Sequence, residues 1–169
     1  MNKTWFSVLG LFIVIGGAIT FSALTGGSLA DRVSISAYEN EILRSSSVKV
    51  GGAEFNVELA ETSEQHTRGL SYRESLKQGD GMLFIFNPAQ PVSFWMYEMS
   101  FPLDIVWIKD GKVISVERGV PHPAKNTDPK DLPTYPSPGE IDMVLELNAG
   151  EAANINIGDK VSLLETKNI

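Results

Sequence analysis

The chain has 169 residues, a formal net charge of -7 and no cysteine, and this length accommodates one domain with an additional segment. The acidic balance excludes a surface that follows nucleic-acid phosphates, because such surfaces need clustered Lys and Arg; we therefore predict no nucleic-acid partner. The absence of cysteine excludes a disulfide framework, a thiolate metal site, a cysteine nucleophile and lipid attachment at a lipobox.

The first predicted element is an N-terminal membrane segment. The stretch from Trp5 to Leu24 carries no charged side chain and follows Lys3. About 20 apolar residues are enough to span a bilayer, and a preceding positive charge keeps the N-terminus on the cytoplasmic side. We predict a single membrane-spanning helix within residues 1–30, with the rest of the chain outside the cytoplasm. The membrane is then a partner of the protein through this helix.

A cleaved signal peptide is the alternative interpretation of the same segment. Ser28-Leu29-Ala30 is a small-x-small cleavage pattern, and cleavage near Ala30 would release a secreted or periplasmic protein. The apolar run is longer than the roughly 7–15 residues of a signal-peptide core, which favours a retained anchor. The remaining chain is divided into a juxtamembrane spacer (31–47), a β-rich globular domain (48–165) and a C-terminal tail (166–169).

The globular domain begins with a strand and a short helix. Residues Glu54 to Leu59 alternate polar and apolar, which is the pattern of a strand with one buried face. Thr62 precedes Gln65 by three residues, a capping-box pattern that predicts helical turns from Ser63 to Arg68. Gly69 can then end the helix in a left-handed conformation.

Further short strands follow. Asp110-Gly111 lies between two apolar runs and predicts a tight hairpin. The strands are predicted at Met82 to Phe86, Phe94 to Glu98, Leu103 to Ile108, Val113 to Arg118, Asp142 to Leu147 and Val161 to Leu164. About seven short and mostly antiparallel strands with one or two small helices predict a mainly β fold, either a compact β-sandwich or a partly open barrel.

The stretch from Gly119 to Glu140 differs from the rest of the domain. It holds six of the nine prolines and almost no apolar residue. Because proline cannot donate a hydrogen bond to a sheet, we predict a long irregular loop here. Loops of this length in a compact domain are usually functional or disordered.

Several spaced blocks resemble one protein family. They are Arg68-Gly69-Leu70, Gly81-Met82-Leu83-Phe84, Phe94-Trp95-Met96, Pro102-Leu103-Asp104-Ile105 and Leu145-Glu146-Leu147-Asn148-Ala149-Gly150. In this order they are similar to the bacterial and archaeal family called domain of unknown function 192, over roughly Val48 to Leu164. The resemblance implies a small β-rich single domain, often behind a signal or anchor, and it supplies no activity.

The chain departs from the family pattern at two places. Ser71-Tyr72 stands where the family usually has Met-Phe. After the Trp-Met pair, Tyr97-Glu98-Met99 stands where the family usually has Lys-Asn-Thr. If the family's Asn binds a ligand, Glu98 loses that role here or changes the charge of the ligand.

Polar residues within and near the apolar blocks are the candidate ligand-binding residues. Arg68 can bind a carboxylate through two hydrogen bonds, and Trp95 can provide a stacking wall. We predict a pocket under the proline-rich loop, with its ligand-binding residues Arg68, Trp95, Glu98, Asp104 and Tyr135. The alternative for Arg68 is a structural ion pair with Asp104 or Glu146.

The leading functional hypothesis is a membrane-tethered binding or accessory module outside the cytoplasm, with a small molecule or a protein as its partner. No complete catalytic motif is found, so no catalytic residue is assigned. The two histidines, His66 and His122, lie in no metal-binding motif, and we predict no metal site and no cofactor. One alternative is a cell-envelope hydrolase that uses Glu98 and Asp104, since glycosidases hold two carboxyl groups about 5–10 Å apart. Another is an assembly partner recognised through a sheet edge.

Overall fold

A computed structural model of the protein describes residues 13–15, 18–20 and 43–164. The chain divides between Glu41 and Ile42 into two units. In the first unit, strand β1 (Ile13–Ile15) pairs antiparallel with strand β2 (Ala18–Thr20).

These two strands lie inside the segment predicted to be a membrane helix. Of their six residues, all except Ala18 are β-branched, and β-branched residues favour strands. Within the described residues, no helix is long and apolar enough to cross a membrane. The rest of the predicted helix, the cleavage pattern at Ala30 and most of the spacer lie outside the described residues.

The described part of the second unit contains nine strands and one α-helix. In chain order they are β3 (Arg44–Val50), β4 (Ala53–Ala60), α1 (Ser63–Arg68), β5 (Asp80–Gln90), β6 (Ser93–Trp95), β7 (Leu103–Lys109), β8 (Lys112–Val120), β9 (Thr134–Pro136), β10 (Ile141–Asn148) and β11 (Val161–Leu164). Seven of them form one sheet in the order β11-β3-β4-β5-β10-β7-β8, while β6 and β9 form a separate pair. Only β4 and β5 are parallel neighbours in these sheets.

The large sheet curls until its two edges meet at one end. Lys112 at the start of β8 forms an antiparallel bridge with Lys160, just before β11. Beside this bridge, the N–H of Val161 donates to the carbonyl of Gly111 at 2.8 Å, and the N–H of Val113 donates to the carbonyl of Asp159 at 3.0 Å. The prediction of a mainly β fold is therefore confirmed, with the sheet curled into a half-barrel.

Apolar side chains on the two faces of this sheet form two cores. The inner core receives side chains from all seven strands and includes Val57, Leu83 and Leu145. The outer core lies on the opposite face and includes Phe84, Trp107 and Val144. Because strands β5 and β7 are covered on both faces, residues 82–86 and 105–108 read as continuous apolar runs instead of alternating ones.

The connection between the parallel strands β4 and β5 carries the helix. Two adjacent parallel strands need a crossover connection, and here it contains α1 and residues 69–79. The predicted capping box is confirmed: the Thr62 hydroxyl accepts from the N–H of Gln65 at 3.3 Å, and the Gln65 side chain accepts from the N–H of Thr62 at 3.1 Å. Gly69 follows with φ 48°.

Two strands end three or more residues from their predicted ends. Strand β5 continues through Asn87 and Pro88 to Gln90, because its partner β10 has a register shift between Ile141 and Met143 that accommodates the interruption. Strand β6 ends at Trp95, before the predicted end at Glu98.

The ends of the predicted domain segments also differ in detail. Strand β3 begins at Arg44, inside the segment predicted as a spacer. The proline-rich stretch includes the end of β8, a 3-10 turn at Pro129–Asp131 and strand β9. This stretch is therefore more ordered than the irregular loop that its prolines predicted.

Candidate functional site

An open groove of about 900 Å³ lies between α1, the segment that follows it, the end of β6 and the proline-rich stretch. We call it the aromatic groove. Its lining residues are Ser63, Glu64, Thr67, Arg68, Ser71, Tyr72, Trp95, Tyr97 and Pro129. Three aromatic rings, several hydroxyl groups and two opposite charges therefore share one surface.

The helix contributes one side of the groove because of its spacing. Glu64 and Arg68 are four residues apart, so they lie on the same helical face one turn apart. On another side of the helix, the ring of His66 packs 4.5 Å from the ring of Phe86, and its Nε2 lies 3.0 Å from the carbonyl oxygen of Ala60. These contacts fix the helix on the domain and leave its polar face toward the groove.

The aromatic side of the groove is formed by residues distant in sequence. The rings of Trp95 and Tyr97 stack at 5.1 Å with an interplanar angle of 26°. The ring of Tyr72 meets that of Tyr97 edge-on at 6.3 Å. Trp95 is 44% exposed and Tyr72 is 65% exposed. Exposed apolar surface of this kind is one feature by which binding sites are recognised.

Neighbouring groups shift the pKa of Tyr72. The pKa of Tyr72 is raised above its usual value, chiefly because its hydroxyl interacts with that of Tyr97, with a further contribution from the negative charge of Glu98. The positive charge of Arg68 acts in the opposite direction. Arg68 and Tyr72 line the same groove, and the N–H of Tyr72 contacts the backbone carbonyl of Glu98.

The two charged residues on the helix face have no ionic partner among the residues that the structure describes. Neither Arg68 nor Glu64 forms an ion pair or a side-chain hydrogen bond with a residue in the described part of the chain. Pairs of opposite charge at this spacing often bond to each other on a helix. Here both side chains are exposed and line the groove.

The two departures from the family pattern meet at this site. The Ser71 hydroxyl donates to the carbonyl oxygen of Tyr97 at 2.7 Å, and the N–H of Tyr72 donates to the carbonyl of Glu98 at 2.9 Å. Tyr72 and Glu98 have φ values of 66° and 54°, in the left-handed region that is uncommon for residues other than glycine. Such conformations cluster at functional sites.

The structure brings together three of the predicted ligand-binding residues. Arg68 and Trp95 line the aromatic groove, and Glu98 is exposed beside it. Asp104 and Tyr135 do not line it.

Asp104 has a structural role instead. Its side chain is fully buried, where Oδ1 accepts from the N–H of Gly119 at 2.8 Å and Oδ2 accepts from the N–H groups of Gly150 and Ala152 at 2.8 and 2.9 Å. Buried polar groups are normally satisfied in this way. The carboxylate thus joins the start of the proline-rich stretch to the turn after β10.

Tyr135 is directed away from the groove by strand geometry. Strand β9 pairs with β6 so that Tyr135 lies opposite Phe94 and Thr134 lies opposite Trp95. Successive side chains of a strand point to opposite faces. Tyr135 and Phe94 therefore pack against the outer core, while Trp95 faces outward.

The alternative of an internal ion pair is not found. Arg68 pairs with neither Asp104 nor Glu146. Glu146 is 4% exposed, and its burial raises the pKa of the carboxyl group from 4.5 to about 8. The carboxyl pair of the hydrolase hypothesis is not formed either, because Asp104 is buried whereas Glu98 is exposed.

The sequence did not identify Tyr72 and Tyr97 as site residues. The available signal was their position, since each stands where the family usually has another residue. Among the described residues, no group of three or more acidic or histidine side chains could hold a metal ion.

Comparison with known proteins gives the family of the chain. The sequence profile of the DUF192 family, described as uncharacterised ACR, matches residues 46–163. No curated protein matches the chain.

Solved structures share the fold. The chain is similar to a protein of unknown function from Novosphingobium aromaticivorans DSM 12444, with 33% identity, a TM-score of 0.64 and coverage of 74% of this chain and 89% of that one. It is also similar to a Sinorhizobium meliloti 1021 protein proposed to be a transcription regulator, with 28% identity, a TM-score of 0.64 and coverage of 72% and 95%. The chain belongs to the domain of unknown function 192 family.

Proposed function

We propose that the protein is a binding module whose ligand site is the aromatic groove. One observation carries this proposal: exposed Tyr72 and Trp95, stacked Tyr97 and exposed Arg68 line the same open groove of about 900 Å³. Exposed aromatic rings supply contact area at little cost in conformational entropy, and guanidinium groups supply directed hydrogen bonds. Pro129 places the proline-rich stretch at the edge of the groove.

We further propose that the module is held at the membrane, with its globular domain outside the cytoplasm. The uncharged stretch from Trp5 to Leu24 after Lys3 supports this placement. Release by cleavage near Ala30 is the alternative. A fusion of alkaline phosphatase to the C-terminus tests the orientation, because this enzyme needs disulfides that form only outside the cytoplasm: high phosphatase activity supports export, and a fusion that accumulates without activity contradicts it.

Two other roles are less well supported. The hydrolase alternative needs a second carboxyl group opposite Glu98, and Asp104 is occupied by three backbone N–H groups. The role proposed for the Sinorhizobium protein is not transferred, because a net charge of -7 opposes binding to nucleic-acid phosphates. A protein partner that binds at a sheet edge has no specific observation in its favour.

A thermal-shift screen with the full-length chain tests the proposed site. A ligand that binds the native state raises the melting temperature by mass action. We expect a ligand of the groove to raise the melting temperature of the wild type. The same ligand should raise the melting temperature of Trp95→Ala and of Arg68→Ala much less. The matched control is Arg44→Ala, which removes an exposed arginine on β3 that is not among the groove residues. A ligand shift that survives both groove substitutions would contradict the proposed site.

A further inference from the structure

We propose that the ligand of the aromatic groove is an uncharged glycan with flat, β-linked sugar rings. This inference rests on the proposed binding function and assigns the class of ligand. Three features of the groove carry it: the orientation of its aromatic rings, the hydrogen-bonding groups on the helix and the balance of charge.

The first feature is a ring with an open face. Trp95 uses one face to stack on Tyr97 at 5.1 Å and remains 44% exposed. The face of an aromatic ring carries partial negative charge. A pyranose with equatorial substituents presents axial C–H groups on its flat face, and these carry partial positive charge. Such a sugar ring therefore packs on Trp95 and keeps its hydroxyl groups at the periphery.

The second feature is a donor beside an acceptor, neither of which forms an ion pair within the described part of the chain. A guanidinium group only donates hydrogen bonds, whereas an ionised carboxylate only accepts them. Arg68 and Glu64 lie one helical turn apart and are not paired with each other. Adjacent sugar hydroxyls can accept from Arg68 and donate to Glu64 at the same time. The Thr67 hydroxyl donates to the carbonyl of Ser63 at 2.8 Å, so its oxygen remains available as an acceptor.

The third feature is the charge around the groove. The positive charge of Arg68 is offset by Glu64 in the groove and by Glu98 beside it, and the whole chain is acidic. A phosphate or carboxylate ligand would gain from one cation and be repelled by two carboxylates. Uncharged ligands avoid this repulsion.

A proline-rich peptide is the strongest competing ligand. Aromatic grooves also bind polyproline segments, but proline has no N–H group. The prolines of such a peptide would offer carbonyl acceptors to Arg68 and no N–H donor to the Glu64 carboxylate. The pair of Glu64 and Arg68 therefore favours the sugar.

Calorimetric titration of the full-length chain tests the inference. The protein is kept in a zwitterionic detergent, because detergents with sugar headgroups would compete for the groove. The probes are cellohexaose, chitohexaose, a proline-rich peptide and citrate. We expect binding of at least one hexasaccharide, and an affinity lower by about tenfold or more in Trp95→Ala, which corresponds to the loss of one stacking contact.

Variants distinguish stacking from a loss of folding. Trp95→Phe keeps a ring and should bind within a few-fold of the wild type, and Glu64→Gln should weaken the sugar because an amide nitrogen replaces one acceptor oxygen. Leu163→Ala removes an exposed apolar side chain outside the groove and should leave affinity unchanged.

The outcomes separate this inference from the proposed function. Binding of the peptide or of citrate that depends on Trp95, without binding of either hexasaccharide, overturns the glycan and retains the groove as a site. Sugar binding that is unchanged in Trp95→Ala overturns both the glycan inference and the groove. Absence of binding by both hexasaccharides at millimolar concentration also overturns the glycan inference.

Discussion

The backbone N–H of Tyr72 donates a 2.9 Å hydrogen bond to the carbonyl oxygen of Glu98, and both residues have left-handed backbone conformations. This bond joins the segment after α1 to the segment after β6. It also brings the ring of Tyr72 against that of Tyr97. The aromatic groove thus depends on two backbone conformations that are unfavourable in isolation.

This backbone geometry predicts the effect of Glu98→Asn. Asparagine tolerates the left-handed region better than glutamate does, so we expect the substitution to raise the free energy of unfolding by about 0.5 kcal/mol. Urea denaturation measures the change. Glu98→Val is the opposing variant, because a β-branched residue is strongly disfavoured at this φ, and it should destabilise the protein. A loss of stability in Glu98→Asn would show that the carboxylate itself is needed.

The same reasoning gives a structural explanation for the family pattern. The family usually has Asn at the position of Glu98, and the φ of 54° is one that Asn adopts readily. A backbone requirement therefore accounts for this Asn without any contact to a ligand.

Asp104 should be essential for stability. Asp104→Ala would remove the acceptor of three N–H groups, of which that of Ala152 is buried, and a hydrogen bond to a charged group contributes about 1.5–3 kcal/mol. We expect a loss of several kcal/mol in denaturant titration. Asp104→Asn should lose less, because its one carbonyl oxygen can still accept. Equal stability of the wild type and Asp104→Ala would contradict the structural role.

The buried carboxyl of Glu146 should make stability fall as pH rises. Below the ordinary pKa of 4.5 the carboxyl group is protonated in both the folded and the unfolded states. It therefore does not lower the free energy of unfolding in that pH range. Between pH 4.5 and about 8 the unfolded state loses the proton while the folded state keeps it. The free energy of unfolding then falls by about 1.4 kcal/mol for each pH unit and levels off above pH 8.

Comparison of wild type with Glu146→Gln isolates this effect. The difference in unfolding free energy between the two proteins should change across that pH range, with the variant gaining relative stability as pH rises. Glu74→Gln, which removes an exposed carboxylate, serves as the charge-matched control. A difference between wild type and Glu146→Gln that is constant with pH would contradict the raised pKa.

The capping box should hold the polar face of α1 in place. Thr62→Ala removes the acceptor for the N–H of Gln65 and should cost about 1 kcal/mol of stability. Thr62→Ser keeps the hydroxyl and should cost less. Thermal unfolding of both variants measures the cap, and equal losses would show that the Thr62 methyl group, not its hydroxyl, is important.

Local signals explain what the sequence predicted correctly. The capping box places α1 at Ser63–Arg68, and Asp110-Gly111 forms the β7–β8 turn with φ values of 49° and 68°, as expected for a tight hairpin. Each of these signals lies within a few residues of the structure it specifies. The strand β11 likewise has the predicted bounds.

The site was less predictable because it is assembled over long distances in the chain. The sequence indicates that a charge such as Asp104 needs a partner, but its partners are N–H groups of Gly119, Gly150 and Ala152, which no motif identifies. Tyr72 and Tyr97 meet only because the crossover connection passes over the sheet. Their contact depends on tertiary packing and not on local pattern.

The closure of the half-barrel identifies the part of the sheet that should open first. Lys112 and Lys160 face each other across the closure, and like charges in directly opposed positions destabilise strand pairing. The amides of Val113 and Val161, whose bonds close the curl, should therefore exchange with deuterium sooner than the amides of the central strands β5 and β10. The inner core would then become accessible to solvent from this edge before the outer core and the aromatic groove above it are disturbed.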